Sequence, residues 1–248
     1  MMRIVKTIRL RYIGVFLSPN RAMDTYPIKS FEDLHRMVMV HGHSHFIFRG
    51  EDTAQYPLRP KFGRDKMSVL ENFAGYEQRI LETFKRRGSP HVSVLPLNDW
   101  EWLAVAQHFG LATRLLDWTE NPLVAAYFAT ATKTSTDRVL YALKRDSLQS
   151  ADEKSSPFEL QAVVLYPPKH IATRIMAQTG LFTVHDQPAE VFTHPELERW
   201  IIAADAVIEL NVALDNYGFN RATMFPGLDG LAHHINDWWL RGVREDVA

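Results

Sequence analysis

Between residues 101 and 130 the chain reads EWLAVAQHFGLATRLLDWTENPLVAAYFAT, which sets Gln107, His108, Thr113, Arg114, Asp117 and Thr119 between two apolar runs. An imidazole, a guanidinium, a carboxylate, an amide and two hydroxyls within thirteen residues are enough to bind and polarise an anionic ligand. The same residues also suit simpler roles. Asp117 can pair with Arg114 or accept from backbone N–H groups of its own turn, and His108 can be framework. Burying Arg, His and Asp without mutual pairing is expensive, so the group has to be paired or has to face a site. Arg49 is the other candidate. It follows the apolar run Phe46-Ile47-Phe48 and precedes Gly50, which would let a ligand approach the backbone there. Its planar fork suits phosphate or carboxylate, and an acid such as Glu51 or Asp52 is the competing partner.

Element ends must position these groups. Asn98 and Asp99 cap a helix that runs through His108 and stops at Gly110. Asn121-Pro122 starts the next helix. Thr113 to Leu116 is short, and is either extended or a single turn. Ser30 caps a helix carrying Leu34, Met37 and Val38. Leu70, Phe73, Tyr76, Ile80 and Phe84 recur at helical spacing and end at the Lys85-Arg86-Arg87-Gly88 stop. Residues 138–144 (RVLYALK), 162–167 (AVVLYP), 181–185 (LFTVH) and 206–210 (AVIEL) are strand candidates, and residues 145–160 form a polar loop. An amphipathic helix with Leu228, Leu231, Ile235, Trp238 and Trp239 closes the chain. Interspersed helices and strands imply an α+β class: a single mixed domain with a central sheet flanked by helices. Residues 1–29 form a strand-like extension and residues 30–248 the domain.

Composition narrows the function classes. The 248 residues hold 46% hydrophobic side chains, enough for a substantial core. A formal net charge of −1 gives no global field demanding nucleic acid. The absence of cysteine excludes disulfides, thiolate catalysis and Cys-based zinc sites. With no long apolar run and no signal-type start, a cytoplasmic protein without a membrane partner is expected. His41, His43 and His45 alternate, as strand-borne metal ligands would, but lack a further ligand at a defined spacing, so no metal site is assigned. Trp100, Trp102, Trp118, Trp238 and Trp239 offer base-stacking surface, or core.

Four segments together resemble the FRG domain family: Phe48-Arg49-Gly50; the stretch from Gln107 to Ala129; Gln178 to His185; and Phe225 to Ala232. The resemblance spans about residues 30 to 240 and implies a bacterial or phage-related protein, in some cases part of a toxin-type or anti-phage system. The aromatic-Arg-Gly strand end is also similar to the arginine that opens the NAD site of some ADP-ribosyltransferases. On that reading Arg49 binds the NAD diphosphate or ribose, and Thr113 or Thr119 faces the nicotinamide ribose. Glu190 or Glu209 stabilises the developing positive charge, with NAD as candidate substrate rather than resident cofactor. A metal-independent phosphodiester hydrolase would instead use His108 and His185 as acid and base, Arg49 and Arg114 on phosphate, and Gln107 and Gln178 to orient it. A non-catalytic module binding a nucleotide or a nucleic-acid end through Arg49, Arg114 and Gln107 is the third reading. The expected cleft joins the Arg49 strand end, the Gln107 to Thr119 turn and the Gln178 to His185 segment.

Overall fold

The computed structural model describes residues 24–41, 45–64, 73–132, 135–168 and 179–245. Residues 1–23 of the strand-like extension, His43, Leu70 and Gln178 lie outside the described residues, while residues 25–28 of that extension form a strand. Eight strands form one mixed sheet: β1 (Thr25–Ile28), β2 (Phe46–Glu51), β3 (Leu115–Thr119), β4 (Arg138–Lys144), β5 (Gln149–Ser150), β6 (Val164–Tyr166), β7 (Gly180–Val184) and β8 (Leu197–Ile202). Their order across the sheet is β1-β8-β4-β2-β3-β7-β6-β5. Pro27, which cannot donate to a ladder, sits on the edge strand β1.

Seven helices accompany the sheet among the described residues: α1 (Phe31–His41), α2 (Phe73–Gly88), α3 (Asp99–His108), α4 (Pro122–Thr130), α5 (Val207–Asn216), α6 (Arg221–Met224) and α7 (Leu228–Glu245). The expected caps are in place. Ser30 Oγ accepts from the Asp33 N–H, Asn98 from Glu101 and Asn121 from Leu123. The α+β class and the single central sheet are therefore as the sequence pattern implies.

Three elements differ from expectation, the first being the two-residue strand β5, which pairs with β6 inside the expected polar loop of residues 145–160. The strand expected at residues 206–210 is the start of α5, preceded by a 3₁₀ turn over Ala204–Ala206. Its buried residues Val207, Leu210 and Leu214 are three and four apart, a helical stripe that a five-residue window cuts short. In its place β8 completes the sheet. The polar pair Glu198-Arg199 disguises that strand, whose Leu197, Trp200 and Ile202 are buried.

Alternation sorts the side chains to two faces. On one face Phe46 and Phe48 of β2, Leu140 and Ala142 of β4, and Trp200 and Ile202 of β8 pack beneath α1, α4 and α5. Leu115, Phe182 and Val184 continue that face beneath α3, where Trp100 and Leu103 cover them. On the opposite face Ile47, Trp118, Tyr141 and Leu181 form a second core with Leu58 and Phe192. No described helix is long and apolar enough to cross a membrane.

Candidate functional site

The two halves of the sheet meet at a single point. β2 pairs with β4 over six residues, and β3 with β7 over five. Between β2 and β3 the only register pair is Phe48 with Thr119. Beyond it the strands part, and the Arg49 side chain fills the opening. Arg49 Nη1 donates to the Asp117 main-chain carbonyl at 2.7 Å, an acceptor that a continued antiparallel ladder would give to β2. Arg49 Nε and Nη2 both donate to Glu51 Oε1, at 2.9 and 2.6 Å. Arg64 reaches the same carboxylate oxygen at 3.5 Å. Burial opposes charge on Arg49, yet Glu51 and then Asp117 hold its pKa above the ordinary arginine value. Burial likewise opposes the Glu51 carboxylate, which Arg49 and then Arg64 keep below the usual range.

Gly50 has a packing reason. A Cβ there would lie 1.9 Å from the Ala125 carbonyl oxygen and 2.7 Å from the Ala129 nitrogen. The backbone that approaches Gly50 is that of α4, not a ligand, which corrects the expected role. The three residues of the tripeptide thus occupy three different settings, with Phe48 in the core, Arg49 in the opening and Gly50 beneath the helix.

A second row of polar groups borders the opening. Asp117 Oδ2 accepts from Gln107 Nε2 at 2.9 Å and faces Arg49 Nη1 at 3.5 Å. Gln107 Oε1 accepts from the buried Thr113 hydroxyl at 2.6 Å, and that hydroxyl accepts from the Leu115 N–H. Arg49, Asp117, Gln107 and Thr113 are therefore one hydrogen-bonded chain, which joins two of the three segments of the expected cleft, while His185 of the third lines a different pocket. The Asp117 side chain remains 58% exposed, whereas that of Arg49 is 13% exposed. His108 follows Gln107 at the end of α3, half-buried, with its ring edge-on to Phe109. Lys61 Nζ donates to the Gly110 carbonyl on the same side.

The other expected residues fall elsewhere. Arg114 lies in the core at 2% exposure and forms a buried ion pair. Its Nε and Nη2 donate to Glu77 Oε2, its main-chain N–H donates to Glu77 Oε1, and its Nη1 donates to the Pro157 carbonyl. The guanidinium stacks on Phe158, 4.8 Å from the ring centre. No ligand reaches it there, so the expected contact of Arg114 with phosphate is replaced by a structural one. Thr119 bonds the Thr179 hydroxyl and accepts from the Asn121 N–H. Glu209 accepts the Phe31 N–H at 2.9 Å and so closes the first turn of α1, where backbone donors have no helical partner. His41 ends α1 inside the core, between the Met37 carbonyl and Glu198, so it shares no strand face with the exposed His45.

His185 and Glu190 line a separate pocket of about 440 Å³, with Asp186, His194 and Gln149 on its wall. His185 is buried behind Trp118: the indole N–H donates to Thr183 Oγ1, which is hydrogen-bonded to His185 Nε2 at 2.9 Å. Burial, reinforced by Arg49 and Arg114, pushes the His185 pKa down to about 3. The imidazole is thereby held in its uncharged form, which makes His185 a poor general acid for the phosphodiester cleavage expected of His108 and His185. Trp100, Trp102 and Trp118 are core residues, and only Trp238 and Trp239 of the five expected stacking candidates are exposed.

Sequence reasoning missed Glu51 as a site residue and Glu77 altogether. Glu51 is two residues from Arg49, the spacing that puts both on one strand face, and that signal was available. Glu77 precedes Arg114 by 37 residues, and nothing local links them.

A mixed α+β domain with a sheet divided at one arginine-filled opening is the class that fold and site define. Residues 44–138, which contain Arg49, Glu51, Gln107, Thr113 and Asp117, match the FRG domain family model, so over that stretch the chain is similar to FRG domains. The segments at 178–185 and 225–232 lie beyond the matched stretch. No curated protein and no solved structure matches the chain.

Proposed function

We propose that the chain is a bacterial or phage-related effector, of toxin or anti-phage type, that acts on a nucleotide in the opening between β2 and β3, with NAD as the leading candidate. The observation that carries this reading is Asp117: a half-exposed carboxylate held from two sides by Gln107 and Arg49 at the point where the strands part. Breaking the bond between a ribose and nicotinamide sends the bonding pair out with the neutral leaving base and leaves positive charge on the sugar. A fixed carboxylate stabilises that charge without reorganising as it forms. An acceptor oxygen or nitrogen then bonds to the same carbon and gives up its proton. Arg64, with its side chain 34% exposed, and Lys61 carry positive charge at the rim for the diphosphate. Asp117 takes the role that sequence reasoning gave to Glu190 or Glu209.

Incubation of the purified chain with NAD tests the reading. Nicotinamide release should fall about 10²- to 10³-fold in Asp117→Asn, the size expected for loss of one preorganised electrostatic group. The melting temperature of that variant should stay near wild type, because Asp117 is largely in water. Absence of both nicotinamide release and any NAD-induced shift in melting temperature in the wild-type chain would overturn it. A saturable NAD-induced shift with no product would replace it with the non-catalytic recognition reading.

A further inference from the structure

The pocket of about 440 Å³ that His185 and Glu190 line has a hydrogen-bond donor of fixed sense in its wall. Thr183 Oγ1 accepts the Trp118 indole N–H, and its only other partner among the described residues is His185 Nε2, at 2.9 Å. All three side chains are buried, so the Thr183 hydroxyl proton has His185 Nε2 as its one acceptor. Turned any other way, the buried hydroxyl would leave its hydrogen bond unmade. The imidazole, held uncharged by burial, therefore accepts at Nε2 and carries its proton on Nδ1. Nδ1 has no partner among the described residues and is not one of the sealed side-chain atoms that lack one. Its N–H thus opens on the pocket that the ring lines.

The rest of the lining offers acceptors. Asp186 is half-buried and Glu190 exposed, and neither forms an ion pair among the described residues. Gln149 adds an amide, and Val163, Val191 and Phe192 add an apolar wall. Among the described residues no lysine or arginine lines the pocket. Two unpaired carboxylates repel a phosphate or a carboxylate ligand. An ammonium would satisfy them but has no lone pair to accept the Nδ1–H. A sugar meets both demands without charge, because each hydroxyl can give a hydrogen to a carboxylate and take one from an imidazole N–H. A carboxylate on a ribose hydroxyl is also how dinucleotide-binding folds hold that sugar.

We propose that this pocket binds an uncharged vicinal-diol sugar, free or as the ribose of a nucleoside, with its hydroxyls on Asp186 and Glu190 and one sugar oxygen on the His185 Nδ1–H. The carboxylates alone would be surface charge. The buried imidazole, locked in one tautomer through Thr183 and Trp118, gives the pocket a donor that calls for an acceptor. The site is independent of the reading of the opening between β2 and β3, since Asp117 does not line it.

Isothermal titration of the purified chain with ribose, adenosine, deoxyadenosine, spermidine and inorganic phosphate tests this. Ribose or adenosine should bind saturably with a Kd of about 1 mM or tighter, and phosphate should not bind. Binding of both assigns the pocket to sugars in general. Binding of adenosine alone, with deoxyadenosine at least about tenfold weaker, assigns it to the ribose of a nucleoside. Asp186→Asn/Glu190→Gln should weaken the sugar at least about tenfold, with unchanged melting to show an intact fold. Asp117→Asn should leave sugar binding as it is, so failure here and failure at the opening are told apart. Nitrogen NMR of the histidine-labelled chain should find the His185 proton on Nδ1 and a shift of that resonance on adding the sugar. No binding by ribose or adenosine would overturn the proposal. So would spermidine binding without ribose or adenosine, equal binding of adenosine and deoxyadenosine without ribose, sugar binding that survives Asp186→Asn/Glu190→Gln, or a His185 proton on Nε2.

Discussion

Arg114 and Arg49 each hold a carboxylate, but in opposite surroundings. Arg114 is surrounded on all sides: Glu77, the Pro157 carbonyl and the face of Phe158 close around it, and both partners of the ion pair are 2% exposed. Arg49 stands in a gap of the sheet, with Glu51 on one side and a largely solvated Asp117 on the other. The sealed pair ties α2 to the start of β3, and breaking it strands a charge in the core. The gapped arginine instead keeps a carboxylate oriented at a surface, where a ligand can displace water from it. One residue type serves stability in the first setting and presentation in the second, and burial of the partner acid decides which.

The largest test of that contrast removes one partner of the sealed pair. Arg114→Met or Glu77→Gln alone should cost about 3–5 kcal/mol, visible as a large fall in the urea midpoint, because the remaining group is buried without its partner. Arg114→Met with Glu77→Leu should recover much of that loss, since an apolar pair of similar volume replaces the buried charges. The contrast sharpens through His185, which lies within reach of both guanidiniums. Its folded pKa of about 3 is below the ordinary 6.5, so between these values the unfolded chain takes up a proton that the folded chain refuses. The resulting stability is complete above pH 6.5 and declines as pH falls toward 3, by up to about 1.4 kcal/mol per unit. Urea midpoints at pH 7.5 and 5 should therefore differ less in His185→Gln than in wild type. A smaller effect is expected at the gap. Arg49→Ala should cost about 1–2 kcal/mol, because Glu51 keeps Arg64 and Asp117 is already wet. A cost equal to that of Arg114→Met would erase the distinction.

The parts visible in the sequence were those set by local chemistry. Asn98 and Asn121 announce their helices because a cap is a contact between near neighbours. Residues 138–144 show as a strand because they are buried without interruption until Lys144. The tripeptide 48–50 marks the point where β2 and β3 share their register pair, and Gln107, Thr113 and Asp117 join Arg49 there in one hydrogen-bonded chain. What stayed hidden depends on distant pairing. That β2 and β3 share one register pair follows from sheet order, which no local window contains. Glu209 looked like a charge aimed into a site, but it caps a helix 178 residues earlier in the chain. Glu198 and Arg199 masked β8 because their side-chain partners, His41 and the Ala54 carbonyl, come from other elements.

The solitary rung between Phe48 and Thr119 also has a mechanical consequence. Four strands on one flank and four on the other are each laced continuously, so across that seam the main-chain ladder narrows to one rung and the Arg49 clasp onto the Asp117 carbonyl, and packed side chains such as Ile47, Tyr141, Trp118 and Leu181 carry the rest of the join. Cohesion between the two ribbons is thus handed from main chain to side chains, so enlarging or trimming Ile47 or Trp118 should loosen the junction between the halves before it loosens either half.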